Sequence, residues 1–406
     1  MNRTAPQIND EHDYRIHRDK HASFEERPFN AVDSLVLSQF CGIRLEAIET
    51  RDEPSSHPRR IRQMIADRIN PDGRKRESLT FGKLLRAESF SEMFKGYVTA
   101  KPEDIRRLLC ALAASPRFRN MKIRRYSTLL DEEDATQFAA ISFVYKELFA
   151  YIGFRGTDAT VTGWREDFDM GYKYPVPSQV LALDYVNSVA KELPSKLILG
   201  GHSKGGNLAV FAAVKSDAFI RNRIEQVYDH DGPGFKPGAL SDYDVVKMGI
   251  LVDKTVPKES IVGMLLEDPS RIRVVRSRAK GIDQHSAFTW EVNDAGTDFE
   301  LEEGLAPSSI AFKDTFDDWM DSYDEEGLEA FVDSLFQAID AKGIKDVRDL
   351  LDGSVNPILK ILGVALGAST TSKNVLLNAA SRYARLLTKR LVTPTTAEGN
   401  QNGQGY

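Results

Sequence analysis

The chain has 406 residues, 41% of them hydrophobic and 28% charged, with 54 basic against 60 acidic side chains and a net charge of -6. This length and balance fit a globular protein of one large domain or two smaller ones. The acidic excess argues against a general nucleic-acid binder. The two cysteines, Cys41 and Cys110, allow neither a disulfide framework nor a CxxC metal site, which fits a reducing cytoplasm.

Residues 1–28 are polar, with no apolar leader core, and are expected to form a poorly ordered tail. From Asn30, a candidate helix cap, Val32, Leu35, Val36 and Phe40 recur at helical spacing. Residues 51–76 are charged and read as a surface insertion. "KPEDIRRLLCALAAS" is a second helix, with Pro102 in its first turn and acids beside it.

"QFAAISFVY" and "LFAYIGFRG", joined at Lys146-Glu147, are aromatic and β-rich and predict a hairpin. An amphipathic helix follows over 178–192, then a short buried strand at 196–199 and a helix over 207–214. Further short strands are expected at 224–228 and 272–275. Strands alternating with helices predict an α/β chain with a mostly parallel sheet and helices on both faces. That domain is expected to span residues 29–300.

Beyond residue 300 the pattern is helical to about 391, and 392–406 read as a loose tail. Val375, Ala379, Tyr383, Leu386 and Leu387 form one stripe, with Lys373, Arg382, Arg385, Lys389 and Arg390 off it. Such a face over 372–390 suits peripheral contact with a membrane or an acidic partner, or packing on the parent domain. The most apolar run, Ile358 to Ala368, is too short to span a bilayer.

The chemistry concentrates at Gly201-His202-Ser203-Lys204-Gly205. This G-x-S-x-G lies between an apolar strand and the small-residue helix "GNLAVFAA", the context of a nucleophile elbow. Its tight turn would hold the Ser203 hydroxyl clear at a helix N-terminus, where the N–H of Lys204 can donate to an oxyanion. A serine needs a base. Of the seven histidines, four lie in polar N-terminal segments and His202 is inside the elbow. His285, on a late loop, is favoured over His230, which follows the elbow helix too soon. The acid falls first on Asp231, with Glu259 as the alternative and Asp253 and Asp283 behind. Thr157, at the turn after an earlier strand, offers a backbone N–H and a hydroxyl as a second oxyanion donor. No cofactor or metal is implied.

"AYIGFRGTD…GWREDF" followed by "GGHSKGGNLAVFAA" resembles the class 3 lipase family of α/β-hydrolases. The resemblance implies an α/β-hydrolase fold, an oxyanion role for Thr157, a nucleophile at Ser203, and a loop braced by Arg155, Trp164 and Asp167. A wider stretch, roughly 29 to 300, is similar to a bacterial family of lipase-like proteins with no settled substrate. Class 3 lipases usually carry the acid before a Val-Pro, whereas "ESIVG" has no aspartate. The expected function is a cytoplasmic serine hydrolase acting on a lipid or other acyl ester. The alternatives are a catalytically degenerate fold used for binding or scaffolding, and an acyltransferase or amidase on the same triad.

Overall fold

A computed structural model of the protein describes residues 22–45, 79–267, 269–351 and 369–392. The insertion expected at 51–76 and the apolar run 358–368 lie outside the described residues. So do residues 1–21 of the N-terminal tail and 393–406 of the C-terminal one. Of the segment expected to be loose up to residue 28, residues 22–28 are described, and part of it is packed. Phe24 is buried among Phe118, Tyr145 and Phe149.

The first helix, α1 (Ala31–Phe40), starts where the cap residue predicts. Asn30 Oδ1 accepts from the N–H of Val32 and Asp33, and Asp33 Oδ2 accepts from the N–H of Asn30. This reciprocal box satisfies three otherwise orphaned donors. Helix α2 (Pro102–Ala114) turns Ile105, Leu108, Leu109 and Leu112 inward.

The sheet has seven strands: β1 (Lys122–Asp131), β2 (Thr136–Tyr145), β3 (Phe149–Phe154), β4 (Leu197–His202), β5 (Ile224–His230), β6 (Val252–Pro257) and β7 (Ile272–Val275). They lie side by side in chain order. The β1–β2 and β2–β3 pairs are antiparallel, and every pair from β3 to β7 is parallel. With parallel neighbours in chain order, crossovers of one hand stack their helices on one face. Helices α4 (Pro177–Val189) and α5 (Lys204–Lys215) pack there on Ile152, Phe154, Leu197 and Leu199. The alternate side chains Tyr151 and Ile198 face the other way, into a core shared with α1 and α2. The expected α/β-hydrolase fold, with helices on both faces of a mostly parallel sheet, is what the chain adopts.

Four of the longer elements are absent from the reading of the sequence. Strand β1 is a charged edge strand whose side chains are mostly half-buried, so no clean alternation marks it. Strand β6 is interrupted by the half-buried Asp253 and the buried Lys254, both held in ion pairs. Helix α3 (Val161–Asp169) occupies a segment read as a loop, and helix α6 (Asp242–Leu251) one to which no element was assigned. Thr160 caps α3 by accepting from the Gly163 N–H.

The C-terminal region forms α7 (Pro307–Asp321), α8 (Glu325–Ala341) and α9 (Thr370–Val392). Trp319, Val332, Leu335, Phe336, Leu376 and Ala379 form a core with Val161, Trp164 and Phe168 of α3 packed against it. Ala379, Tyr383 and Leu386 of the basic amphipathic stripe take part in that core, which is its packing reading. Among the described residues no helix is long and apolar enough to cross a membrane.

Candidate active site

Strand β4 ends at His202 and α5 begins at Lys204, so the chain must turn within one residue. Ser203 takes that turn at φ 57, ψ -137, a conformation side-chain-bearing residues rarely adopt. The glycines around it are steric necessities. A Cβ on Gly201 would lie 2.2 Å from the Gly205 carbonyl, and one on Gly205 would lie 2.3 Å from the Phe154 carbonyl oxygen. The Ser203 N–H donates to the His230 carbonyl at 2.9 Å, fixing the elbow to the end of β5.

One residue beyond β5, Asp231 also sits at positive φ, 55°, and its N–H donates to the Thr255 carbonyl of β6 at 2.8 Å. Its carboxylate is fully buried. Oδ1 accepts from Ser260 Oγ at 2.5 Å and the Gly263 N–H at 3.1 Å, and Oδ2 meets His285 Nδ1 at 2.6 Å. An ionised carboxylate accepts, so Nδ1 carries the proton and Nε2 is left as the basic nitrogen.

His285 ends a short turn, Gly281–His285, after β7. Its carbonyl lies 2.8 Å from His202 Nε2, and the two imidazole rings are 4.7 Å apart. Burial pushes His202 well below the ordinary histidine range, so it is neutral and donates Nε2–H to that carbonyl. The histidine loop is thus bound to the residue preceding Ser203. Among the described residues, no hydrogen bond reaches Ser203 Oγ or His285 Nε2.

The other acid candidates are engaged elsewhere. Glu259 Oε2 accepts from the Gly281 N–H at 2.5 Å and Gln284 Nε2 at 3.0 Å, so it supports the histidine loop instead of facing the imidazole. Asp253 pairs with Arg273 at 2.8 and 2.9 Å, and Asp283 is exposed. His230 is buried, with both nitrogens occupied: Nδ1 by Thr255 Oγ1 at 2.9 Å and Nε2 by Ser34 Oγ at 3.0 Å. Burial holds its pKa down at about 3.

Thr157 stands after β3, and its hydroxyl donates to Asp167 of α3, 2.8 and 2.6 Å from the two carboxylate oxygens. Arg155 is tied to the Cys41 and Ile43 carbonyls, each at 3.1 Å. Of the three residues expected to brace the loop, Arg155 and Asp167 make these hydrogen bonds, whereas Trp164 packs toward the C-terminal helices. Burial raises the Asp167 carboxyl to about 6, against the pull of the Lys204 ammonium.

Two buried lysines were not anticipated. The Lys204 side chain runs under the loop, its Nζ 2.9 Å from each of Gln137 O, Gln137 Oε1 and Glu166 Oε2. Glu166 also accepts from the N–H of Gln137 at 3.1 Å and of Ser178 at 2.8 Å. Lys254 pairs with Asp229 at 2.8 Å and Glu267 at 2.7 Å beneath the Asp231 turn. The one signal in the sequence is a lysine set among small and apolar residues, at "SKGGN" and "DKTVP". Among the described residues, no group of three or more His, Cys, Asp or Glu is placed to hold a metal.

The Mbeg1-like family model matches residues 112–337, more than half of the chain, and the chain belongs to that family. No curated protein matches it. Among solved structures it is similar to a Rhizomucor miehei lipase–propeptide complex: 21% identity, TM-score 0.32, covering 48% of this chain and 66% of that one. It is also similar to a triacylglycerol lipase whose catalytic centre is a serine protease triad: 21% identity, TM-score 0.29, 42% and 70% covered. For M37 lipase the values are 15%, 0.29, 40% and 63%. The chain thus spans slightly less than two thirds of the Rhizomucor lipase.

Proposed function

We propose that this Mbeg1-like chain is a serine hydrolase that cleaves a carboxylic ester of a lipid or other acyl compound. The observation that carries the reading is the Asp231–His285 hydrogen bond of 2.6 Å, on a loop bound to the serine elbow through His202. In this reading Ser203 Oγ attacks the carbonyl carbon and its proton passes to His285 Nε2. Breaking the C–O bond returns that proton to the departing alkoxide, and water then repeats the sequence on the acyl-enzyme. Asp231 holds the imidazole in the working tautomer and offsets its charge. The N–H groups of Lys204 and Thr157 hold the oxyanion. Loss of one such donor costs on the order of a hundredfold in rate.

The unbonded Ser203 hydroxyl favours the rival reading, a non-catalytic binding role. Such contacts are often long in free enzymes and tighten with substrate. One experiment separates the two. A fluorophosphonate should phosphonylate wild-type protein at Ser203, with P–O formation and loss of fluoride, and Ser203→Ala should not label. Folded wild type that never labels, or a variant that labels equally, rules out the serine assignment. Turnover of short and long acyl esters by the labelling-competent protein then sets the chain length.

A further inference from the structure

Thr157 has one hydroxyl hydrogen and two places that want it. Its Oγ1 lies 2.8 and 2.6 Å from the two oxygens of Asp167. An ionised carboxylate can only accept, so it takes that hydrogen and leaves Thr157 presenting lone pairs to the site. Lone pairs repel an oxyanion. If Asp167 carries a proton, its own O–H donates to Thr157 Oγ1, and the threonine hydrogen is released to turn outward.

We propose that Asp167 is a positioning residue for the oxyanion hole, which gains the Thr157 hydroxyl as a donor only when Asp167 is protonated. This deepens the hydrolase reading above and rests on it. The proton comes from solvent, which reaches the one-third of the Asp167 side chain left exposed while its surroundings desolvate the remainder. When Asp167 is ionised, the hole works on backbone N–H groups alone.

The surroundings of Asp167 allow this exchange near neutral pH. Lys204, at the start of α5, lies 4.0 Å away and opposes proton uptake. Its charge is already engaged by Glu166 and the two Gln137 oxygens. Glu166, beside Asp167 on α3, favours uptake, and His285, across the site, disfavours it when charged. Desolvation outweighs these and brings the carboxyl to about 6.

The test is the pH dependence of phosphonylation of the full-length protein, divided by that of Thr157→Val. That ratio cancels the ionisation of His285, which both proteins share. It should be large below pH ~6, on the order of a hundredfold for one oxyanion donor, and fall toward one as Asp167 ionises. Thr157→Ser should reproduce the wild-type fall. In Asp167→Asn the amide N–H2 donates to Thr157 at every pH. The ratio of that variant to its Thr157→Val double should therefore stay high and flat. A wild-type ratio that does not change with pH overturns the gate while leaving the hydrolase reading intact.

Infrared titration reads the same proton without turnover. A carboxylic-acid C=O band should appear as pH falls through about 6, vanish in Asp167→Asn and shift in Thr157→Val. A band that ignores the Thr157 substitution overturns the gate. If wild type never labels but the band behaves as stated, the hydrolase reading fails and the hydrogen-bond switch stands.

Discussion

Lys204→Met tests whether the elbow lysine anchors α3 and β2 beneath the Thr157 loop through Glu166 and Gln137. Lys204 and Glu166 are each only 1% exposed at the side chain, with Nζ and Oε2 2.9 Å apart. Methionine keeps most of the stem volume, so packing loss is small. What the substitution removes is the counter-charge of a carboxylate left with two backbone N–H donors, those of Gln137 and Ser178. Breaking a buried pair in this way costs about 3–5 kcal/mol. Glu166→Gln in the same chain removes the stranded charge, so the double variant should fall short of the summed single losses by about 1–3 kcal/mol. Urea unfolding of the four proteins, compared by midpoint at constant m, measures both quantities. Lys204→Met within about 1 kcal/mol of wild type, or a strictly additive cycle, would show that the pair is not the anchor described.

Three further substitutions address the histidines and the loops around them. Asp231→Asn should lower kcat on an activated ester by on the order of 10⁴, because an amide cannot hold the imidazole tautomer. Glu259→Gln should cost less than about tenfold, since Glu259 touches only the loop; equal losses would move the acid assignment. His230 is held at about 3 against a usual 6.5, so the unfolded chain binds its proton first and stability drains as pH falls below 6.5. Relative to His230→Gln, wild type should lose about 2 kcal/mol between pH 7 and 5. An unchanged difference would mean that His230 is not buried neutral.

The parts legible in the sequence share a property: their signal is local. The Asn30 cap, the β2–β3 hairpin and the elbow each announce themselves within a few residues, because capping, turn geometry and glycine sterics are short-range. The choice of Asp231 and His285 depended on chain order and element ends, and the geometry brings these two together across 54 residues. What stayed hidden depends on distant partners. Lys204 reads as a surface charge until Gln137 and Glu166 are placed around it. Lys254 and Asp253 break the apolar pattern of β6 because their counter-charges, Asp229 and Arg273, come from neighbouring strands. Glu259 looked like a candidate acid because the sequence does not show which side of its loop faces His285.

The C-terminal helices bear on the site through the backbone. The Ala306 N–H, just before α7, donates to the Lys258 carbonyl at 2.8 Å, and Ser309 Oγ donates to the Ser260 carbonyl. Ser260 is the residue whose hydroxyl holds Asp231 Oδ1. At the other end, the Val347 N–H donates to the Ala159 carbonyl at 2.9 Å, two residues after Thr157. The helical layer therefore grips the segment that holds Asp231 and the segment that follows Thr157, while α3, the helix that carries Asp167, packs against its core. Loops at the ends of parallel strands gain precision from what packs behind them. In this chain part of that packing comes from residues beyond 300, which hydrogen-bond to the loops carrying Ser260 and Ala159.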